Sequence, residues 1–219
     1  PRLAGHEAGT ETVRRVMDFC RYAGVRYLTL YAFSTENWSR PSDEVAGLMR
    51  LLGLFIDRYE KELVERRVRL RMIGKREDLS APLRSAIERV ERETAAFERQ
   101  VIVALSYSGR SELARAVRAI AAEVRAGRLA PEAVDEGTIA AHLYAPDVPD
   151  PDLIIRTSGE MRVSNFLLWQ CAYSELYVTP VLWPDFGEAD FRAALDAYAA
   201  RERRFGGAGG KTQAGGAPC

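Results

Sequence analysis

Two arginines and a serine lie close together in the chain, in a polar stretch between two apolar segments. Arg156 ends a short apolar run, and Arg162 and Ser164 follow it before a second apolar run begins. Guanidinium groups bind phosphate oxygens through paired N–H donors, and a serine hydroxyl offers one donor more. These side chains predict a phosphate or diphosphate site. The alternative is a structural ion pair with Glu160 or Asp152.

A second polar stretch follows a buried strand that we predict at residues 25–33. Hydroxyls, a carboxylate, an amide, an indole and a guanidinium occur together in residues 34–40, and Pro41 then favours the start of a helix. Such a density of polar groups at a strand end is typical of a ligand site. A capping network with Trp38 as a core residue explains the same stretch, and the residues alone leave both interpretations open.

Three further polar features carry weaker signals. Residues 106–112 lead from a strand into a helix whose N-terminal amides could face an anion, although capping by Ser108 or Ser111 explains them as well. Glu175 lies among apolar residues, so its carboxylate needs a partner such as an arginine or a hard cation. His6 precedes a predicted helix and could donate to a phosphate, whereas the histidines do not have the spacing of a zinc site.

These polar stretches require a framework of alternating strands and helices. The apolar pattern predicts strands at residues 25–33, 68–73, 100–107, 152–156 and 175–178, with an edge segment at 181–183. It predicts helices at residues 10–22, 44–66, 82–98, 111–126 and 188–204, and a helical or buried segment at 165–172. The alternation predicts an α/β fold with a mostly parallel sheet and ligands at the carboxyl ends of its strands. The helix at 44–66 has a broad apolar face suited to the wall of a cavity.

The overall composition limits the class of partner. The 31 basic and 31 acidic residues give a formal net charge of zero, so no overall field favours nucleic acid or an anionic membrane. The 3 cysteines are far apart and fit a reducing compartment, and no apolar run reaches the roughly 20 residues that a membrane span needs. We therefore expect a cytoplasmic protein, at most peripherally bound to a membrane. We expect one domain over residues 1–207 and a disordered, glycine- and alanine-rich tail over 208–219.

Five segments of the chain form a recognisable set. They are STENWSRP at residues 34–41, DLIIRTSGEMRVSNFLLWQ at 152–170, AYSELY at 172–177, LWPDF at 182–186 and RERRFGG at 201–207. In this order they resemble the cis-prenyltransferase family, and most closely the bacterial undecaprenyl diphosphate synthases. The resemblance implies a single α/β domain with a mostly parallel central sheet, flanking helices and an apolar tunnel. It also implies an enzyme that joins isopentenyl diphosphate to an allylic diphosphate such as farnesyl diphosphate. The implied product is a polycis-polyprenyl diphosphate such as undecaprenyl diphosphate, a lipid-carrier precursor for cell-wall synthesis.

The resemblance also assigns roles to individual positions. Asn37 would lie next to the reacting carbons and assist deprotonation. The residues that would bind the allylic substrate are Arg2, His6, Ser34, Thr35, Glu36, Trp38 and Arg40. The residues that would bind isopentenyl diphosphate are Arg156, Arg162, Val163 and Ser164. The residues that would line the tunnel are Ala32, Leu48, Leu52 and Phe55.

The resemblance also implies a metal cofactor and a second subunit. The resemblance implies a Mg²⁺-dependent enzyme in which Glu175 helps to bind the ion. It implies a homodimer in which Arg204 and Gly206 reach the active site of the partner subunit. Release of a long apolar product implies at most peripheral contact with the inner face of the membrane.

The chain departs from the family pattern at three places. The family's opening strand and Asp-Gly-Asn-Gly-Arg-Trp loop, which handle Mg²⁺ and diphosphate, do not occur in the sequence. A polypeptide that truly begins at Pro1 should therefore be inactive and poorly folded. Ser106 and Ser108 replace an asparagine and a glycine that are usual in the family, and Met161 stands where some members have histidine.

Two other functions compete with the enzyme. A non-catalytic cis-prenyltransferase-like subunit that activates a partner also lacks the opening aspartate, but such subunits tend to lose the isopentenyl diphosphate residues that this chain retains. A nucleotide-binding α/β protein would need a glycine-rich phosphate loop between a strand and a helix. The only similar glycine pattern lies in the tail, with no predicted strand before it.

Overall fold

The computed structural model describes residues 2–201, with side chains from Gly9 onward. The predicted tail, Arg204 and Gly206 lie outside the described residues. The helices are α1 (Arg2–Tyr22), α2 (Ser42–Glu65), α3 (Ala81–Thr94), α4 (Gly109–Arg125), α5 (Glu136–Ala141) and α6 (Glu188–Ala199). The strands are β1 (Tyr27–Ser34), β2 (Val68–Ile73), β3 (Arg99–Tyr107), β4 (Leu153–Arg156) and β5 (Glu175–Val178). Short 3₁₀ turns occupy Thr35–Ser39, Arg76–Asp78, Pro131–Ala133 and Trp183–Asp185.

The strands pair in parallel, as the alternation of strands and helices predicts. β3 lies between β1 and β2, and its Val101 is aligned with Leu28 on one side and with Leu70 on the other. β4 pairs with β5 in a second sheet of two strands. The predicted α/β fold is confirmed, while the strands form two parallel sheets instead of one.

A cavity separates the two sheets. β1 is hydrogen-bonded to β3 and β4 to β5, and within residues 2–201 neither β1 nor β4 has a strand partner on its other edge. Leu30 and Ala32 of β1 line this cavity together with Ile154 of β4. Within residues 2–201, the ladder of hydrogen bonds does not continue from one sheet to the other.

The central strand β3 explains how the larger sheet is buried. Its side chains alternate between two faces, so that Val101 and Leu105 pack with α2 and α3 while Ile102 and Ala104 belong to a separate apolar cluster. Burial of both faces suits a strand that is almost wholly apolar. Beside it, Gly74 ends β2 with a φ of 119°, and a Cβ at this position would lie 2.0 Å from the carbonyl oxygen of Leu105.

The segment predicted as helical or buried at residues 165–172 is not a helix but forms turns. Ser164, Asn165 and Leu167 have positive φ angles of 50°, 62° and 44°, which a right-handed helix does not allow. The apolar run therefore packs against the sheet without helical hydrogen bonding. Its polar neighbours are held in a fixed loop at the carboxyl end of β4.

Two other local predictions are wrong. The edge strand at residues 181–183 does not form, because the chain turns at Trp183–Asp185, where a proline has no N–H to donate to a strand. His6 lies inside α1, which begins at Arg2 and not at Thr10. None of the helices within residues 2–201 has the length and apolar character that crossing a bilayer requires.

Candidate active site

The cavity between the two sheets has a volume of about 1010 Å³. This volume is at the upper end of the usual range for small-molecule sites. Residues from β1, β4, α1 and α2 line it, and its polar lining includes four arginines, Arg40, Arg71, Arg156 and Arg162. The four positions predicted to line a tunnel also line this cavity, and they are Ala32, Leu48, Leu52 and Phe55.

The long helix α2 supplies an apolar wall. Its 24 residues extend over roughly 36 Å at 1.5 Å per residue. Leu48, Leu52 and Phe55 recur at three- and four-residue spacing, so they share the face that borders the cavity. At the start of the helix, Glu44 accepts a hydrogen bond from Arg40 at 3.2 Å, which places a guanidinium beside the apolar wall.

The arginine loop (residues 156–165) follows directly from β4. Its Glu160 forms an ion pair with Arg156 and accepts a second hydrogen-bonded contact from Arg162 at 2.5 Å. The hydrogen bond from Arg156, followed by the charge of Arg162, holds the pKa of Glu160 below its usual value. The ion pair expected as the alternative to a phosphate site is thus present, and it gathers both guanidinium groups around one oxyanion.

Arg156 retains a donor that this ion pair does not use. Its buried Nε has no hydrogen-bond partner within the described part of the chain. A buried unsatisfied donor is costly, so a ligand oxygen at this place would be stabilised. Arg156, Arg162 and Val163 line the large cavity, which puts this donor set beside the apolar space.

The Asn37 turn (Thr35–Ser39) continues β1 as a short 3₁₀ turn. The amide oxygen of Asn37 accepts a hydrogen bond from the backbone N–H of Ser34 at 3.0 Å, and the Thr35 hydroxyl contacts Glu36 at 3.2 Å. The Ser39 hydroxyl donates to the backbone oxygen of Glu36 at 2.8 Å. The capping network considered from the sequence is therefore real, and it fixes the polar side chains at the carboxyl end of β1.

Trp38 has a structural role in this arrangement. Its indole N–H donates to the hydroxyl of Ser106 at 2.8 Å, and Ser106 donates in turn to Asp78 at 2.5 Å. The indole packs edge-to-face on Phe33 with ring centroids 5.0 Å apart. Trp38 thus joins the core cluster, and among the described residues it is not one that lines the cavity.

Tyr31 connects β1 to the arginine loop. Its hydroxyl donates to the backbone oxygen of Ser164 at 3.2 Å, and its ring stacks on Phe166 with centroids 4.5 Å apart. Burial, reinforced by the charge of Glu36, raises the pKa of Tyr31 to about 12. The hydroxyl therefore remains a donor at neutral pH.

A second cavity of about 400 Å³ lies where the Asn37 turn meets the arginine loop. Ser34, Glu36, Ser164, Asn165 and Arg110 line it. It brings residues assigned to the allylic substrate next to residues assigned to isopentenyl diphosphate. The polar residues that follow β1, β3 and β4 therefore lie close together, as expected for parallel strands whose carboxyl ends meet at one edge.

Glu175 does not join this convergence. It lies at the amino end of β5, opposite Leu153, whereas Arg156 is opposite Val178 at the other end of the same ladder. Three residues of a strand separate the two levels by roughly 10 Å. Glu175 instead forms an ion pair with Arg201, so its carboxylate has the arginine partner that its apolar setting required.

The described residues do not by themselves form a metal site. No group of three or more His, Cys, Asp or Glu side chains within them is arranged to hold an ion. Arg2 and His6 are described only as backbone positions of α1. Their predicted contacts with an allylic diphosphate remain predictions.

Sequence reasoning missed three residues that build this region. Tyr31 was indistinguishable from a strand residue, although its position just before the polar stretch was a signal. The sequence places Asn165 only within a motif and Glu160 only in an ion pair, and the fold shows that each contacts two other groups.

Comparison with known families agrees with this arrangement. A prenyltransferase family model, described as undecaprenyl diphosphate synthase, matches residues 1–206. The chain belongs to this family. The resemblance of the five sequence segments is therefore confirmed over nearly the whole of the prenyltransferase chain.

Curated relatives of this chain are named as synthases or transferases of isoprenyl groups. The ditrans,polycis-undecaprenyl-diphosphate synthase ((2E,6E)-farnesyl-diphosphate specific) of Xanthomonas campestris is 53% identical over 94% of the chain and 80% of its own length. An isoprenyl transferase of Heliobacterium mobile is 50% identical over the same shares of the two chains.

Solved structures show the same fold. Lavandulyl diphosphate synthase from Lavandula x intermedia, in complex with dimethylallyl diphosphate, is 38% identical with a TM-score of 0.91, over 94% of this chain and 89% of its own. A probable undecaprenyl diphosphate synthase from Campylobacter jejuni is 34% identical with a TM-score of 0.81, over 91% and 92%. The α/β architecture is thus that of a prenyltransferase.

Proposed function

We propose that the protein is a cis-prenyltransferase that adds isopentenyl diphosphate units to an allylic diphosphate. We assign farnesyl diphosphate as this allylic substrate. The product is a polycis-polyprenyl diphosphate such as undecaprenyl diphosphate, which serves as a lipid-carrier precursor in cell-wall synthesis. One observation carries this proposal. A single cavity is lined both by Arg40, Arg156 and Arg162 and by the apolar face of α2. Such a cavity suits a ligand with a diphosphate head and a long hydrocarbon chain.

Isopentenyl diphosphate is assigned to the arginine loop. Arg156 and Arg162 would exchange the carboxylate of Glu160 for diphosphate oxygens, and the Nε of Arg156 would gain a partner. Ser164 adds a hydroxyl, and Val163 contacts the apolar part of the substrate. The exchange of one oxyanion for another leaves no guanidinium buried without a partner.

The allylic diphosphate is assigned to the carboxyl end of β1. Arg40, with Arg2 and His6 of α1, would hold its diphosphate, while Ser34, Thr35 and Glu36 complete the polar wall. Its hydrocarbon chain would extend past Ala32 along Leu48, Leu52 and Phe55. Trp38 contributes by fixing the turn from the core side and not by touching the substrate.

The reaction forms one bond between two carbons and breaks one carbon–oxygen bond. The diphosphate group of the allylic substrate leaves with the electrons of its C–O bond, and the double bond of isopentenyl diphosphate attacks the allylic carbon. A C–H bond of the isopentenyl unit then loses its proton to give a new cis double bond. Positioned guanidinium groups stabilise the charge of the leaving group. Asn37 would lie next to the reacting carbons and assist removal of the proton, since the hydrogen bond from Ser34 fixes its amide.

Mg²⁺ is the cofactor that we assign to this reaction. The ion would supply positive charge that neutralises the leaving group. Mg²⁺ needs only one or two protein carboxylates beside phosphate and water. Glu175 has that donor chemistry, but it is paired with Arg201 at the other end of the β4–β5 ladder from Arg156, so its part in holding the ion stays a prediction. The described residues supply no fuller cation cage, so the substrates are the main ligands in this proposal.

The proposal extends to the oligomeric state and the location of the enzyme. We assign a homodimer in which Arg204 and Gly206 complete the partner's active site, and a cytoplasmic location with peripheral contact at the inner membrane face for product release. A net charge of zero supports a function without nucleic acid. The apolar cavity supports a lipid-like product that leaves toward a membrane.

Incorporation of radiolabelled isopentenyl diphosphate by the full-length protein tests the proposal. With farnesyl diphosphate and Mg²⁺, the protein alone should make a butanol-soluble polyprenyl product, and EDTA should abolish the incorporation. Activity undiminished in EDTA would refute the role of Mg²⁺. No incorporation by the protein alone, together with stimulation of a catalytic partner, would favour the non-catalytic subunit.

A further inference from the structure

Asn165 joins three segments around the small cavity. Its side-chain Nδ2 donates to Glu36 Oε1 at 2.8 Å, and its Oδ1 accepts a hydrogen bond from the backbone N–H of Arg110 at 3.0 Å. Its backbone oxygen accepts from the N–H of Gly109 at 2.7 Å. One residue of the arginine loop thus contacts both the Asn37 turn and the first turn of α4.

The chemistry of this position requires an asparagine. The side chain must donate on one side and accept on the other, which an aspartate cannot do because an ionised carboxylate only accepts. The backbone has a φ of 62°, a conformation that asparagine adopts more readily than most residues. Alanine would lose both side-chain contacts and would also be strained.

The packing around α4 supports a close fit of these segments. A Cβ at Gly109 would lie 2.7 Å from a side-chain carbon of Leu168, so the start of the helix lies directly on the loop that follows Asn165. The loop is also held from β1, because Tyr31 donates to the backbone oxygen of Ser164. Small shifts of Asn165 would therefore be transmitted to both neighbouring segments.

We infer that Asn165 is a positioning residue that fixes the spacing between the two substrate subsites, through Glu36 on the allylic side and Ser164 on the isopentenyl side. Asn165 need not touch substrate to have this effect. This inference rests on the proposed function, which assigns the Asn37 turn and the arginine loop to the two diphosphates. Loss of the link should lower kcat more than it raises KM, because positioning acts on the reacting geometry.

The groups around Glu36 determine how its hydrogen bond with residue 165 should depend on pH. Burial raises the pKa of Glu36, but the hydrogen bond from Asn165 and those from its own turn outweigh it, so the pKa lies below its usual value. Besides Asn165, the groups near this carboxylate are Thr35 on its own turn, Tyr31 on β1 and Arg110 across the small cavity. An aspartate at position 165 would place a second carboxylate against Glu36, and the pair would bind a proton at higher pH.

Three variants of the full-length protein test the inference: Asn165→Ala, Asn165→Asp and the double variant Asn165→Asp with Glu36→Gln. We expect Asn165→Ala to lower kcat roughly 10- to 100-fold, the effect of losing a hydrogen bond to a charged group, with a much smaller change in the KM for isopentenyl diphosphate. Asn165→Asp should be weakest at neutral pH and recover as the pH falls, because a shared proton restores a donor. The double variant exchanges donor and acceptor, so it should regain part of the activity that Asn165→Asp loses.

Ser174→Ala is the matched control. It removes a loop-to-loop hydrogen bond to the backbone oxygen of Pro151, at the amino end of β4 and β5. Melting temperatures measured for all variants separate a folding defect from a positioning defect. Unchanged kcat in Asn165→Ala would overturn the inference. So would a double variant whose kcat is no higher than the combined losses of Asn165→Asp and of Glu36→Gln, measured alone as a reference, predict. Failure of the proposed function is a different result, since the wild-type protein would then elongate nothing.

Discussion

Replacing Arg156 with alanine removes one of the two guanidinium groups assigned to isopentenyl diphosphate. A hydrogen bond to a charged group contributes roughly 1.5–3 kcal/mol. Because about 1.4 kcal/mol corresponds to a factor of ten, the KM for isopentenyl diphosphate should rise roughly 10- to 100-fold. The unsatisfied Nε of Arg156 places the expected effect toward the upper part of this range, since its contact with a ligand oxygen would be lost as well.

The same substitution should change folding stability little. Glu160 keeps its contact with Arg162 at 2.5 Å when Arg156 is removed, so its carboxylate is not left without a cation. The side chain of Glu160 is 36% exposed, and ion pairs at such places contribute little to stability. A kinetic defect in Arg156→Ala should therefore occur in a folded protein.

Initial rates at saturating farnesyl diphosphate and varied isopentenyl diphosphate provide the assay. Arg192→Ala is the control, because Arg192 forms an exposed ion pair with Glu188 on α6 at the same four-residue spacing. The assignment of Arg156 to isopentenyl diphosphate is refuted if the KM for this substrate is unchanged in Arg156→Ala. It is also refuted if only the KM for farnesyl diphosphate rises, because the arginine loop would then hold the other substrate.

Three further outcomes follow from particular contacts. Leu52→Trp should shift the products toward shorter chains, seen by chromatography after dephosphorylation, because an indole fills part of the cavity; an unchanged distribution would place the growing chain elsewhere. Glu112→Leu should lower the Tm measured by calorimetry, because it leaves the buried Tyr107 hydroxyl and the Tyr144 N–H without their acceptor, at roughly 1–3 kcal/mol each; an equal or higher Tm would contradict this. The lowered pKa of Glu160 means that its ion pairs stabilise the fold above its ordinary pKa of 4.5 and that this contribution is lost as the pH falls further. Chemical denaturation should therefore show wild type slightly more stable than Glu160→Gln at neutral pH, by the small amount expected of an exposed ion pair, and equal to it in acid. A difference independent of pH would disprove the assignment.

Local patterns in the sequence predicted most of the elements. The strands at residues 68–73 and 175–178 have the bounds that alternation predicts, and α2 has the apolar face expected of a cavity wall. These features depend on spacing along the chain, which the sequence contains directly. Ala32 was predicted to line the tunnel only through the family resemblance, because the apolar periodicity of the sequence does not single out this small residue.

The parts that could not be predicted depend on contacts between distant residues. The acceptor of Trp38 is Ser106, and the partner of Glu175 is Arg201, and neither follows from the residue types. The apolar run after Asn165 has the composition of a helix, but positive φ angles and tertiary hydrogen bonds hold it in turns. The division into two sheets likewise depends on which strand edges meet, and local propensity does not determine that.

The central claim is that one cavity accepts the diphosphate of a prenyl substrate and the growing chain attached to it. The most direct test is the chain length of the product that the full-length protein makes from farnesyl diphosphate and radiolabelled isopentenyl diphosphate, determined by reversed-phase chromatography after dephosphorylation. We expect a long polycis product of the undecaprenyl class whose formation depends on Mg²⁺. Recovery of only unextended farnesyl diphosphate, or of a product with a single added unit, would contradict it.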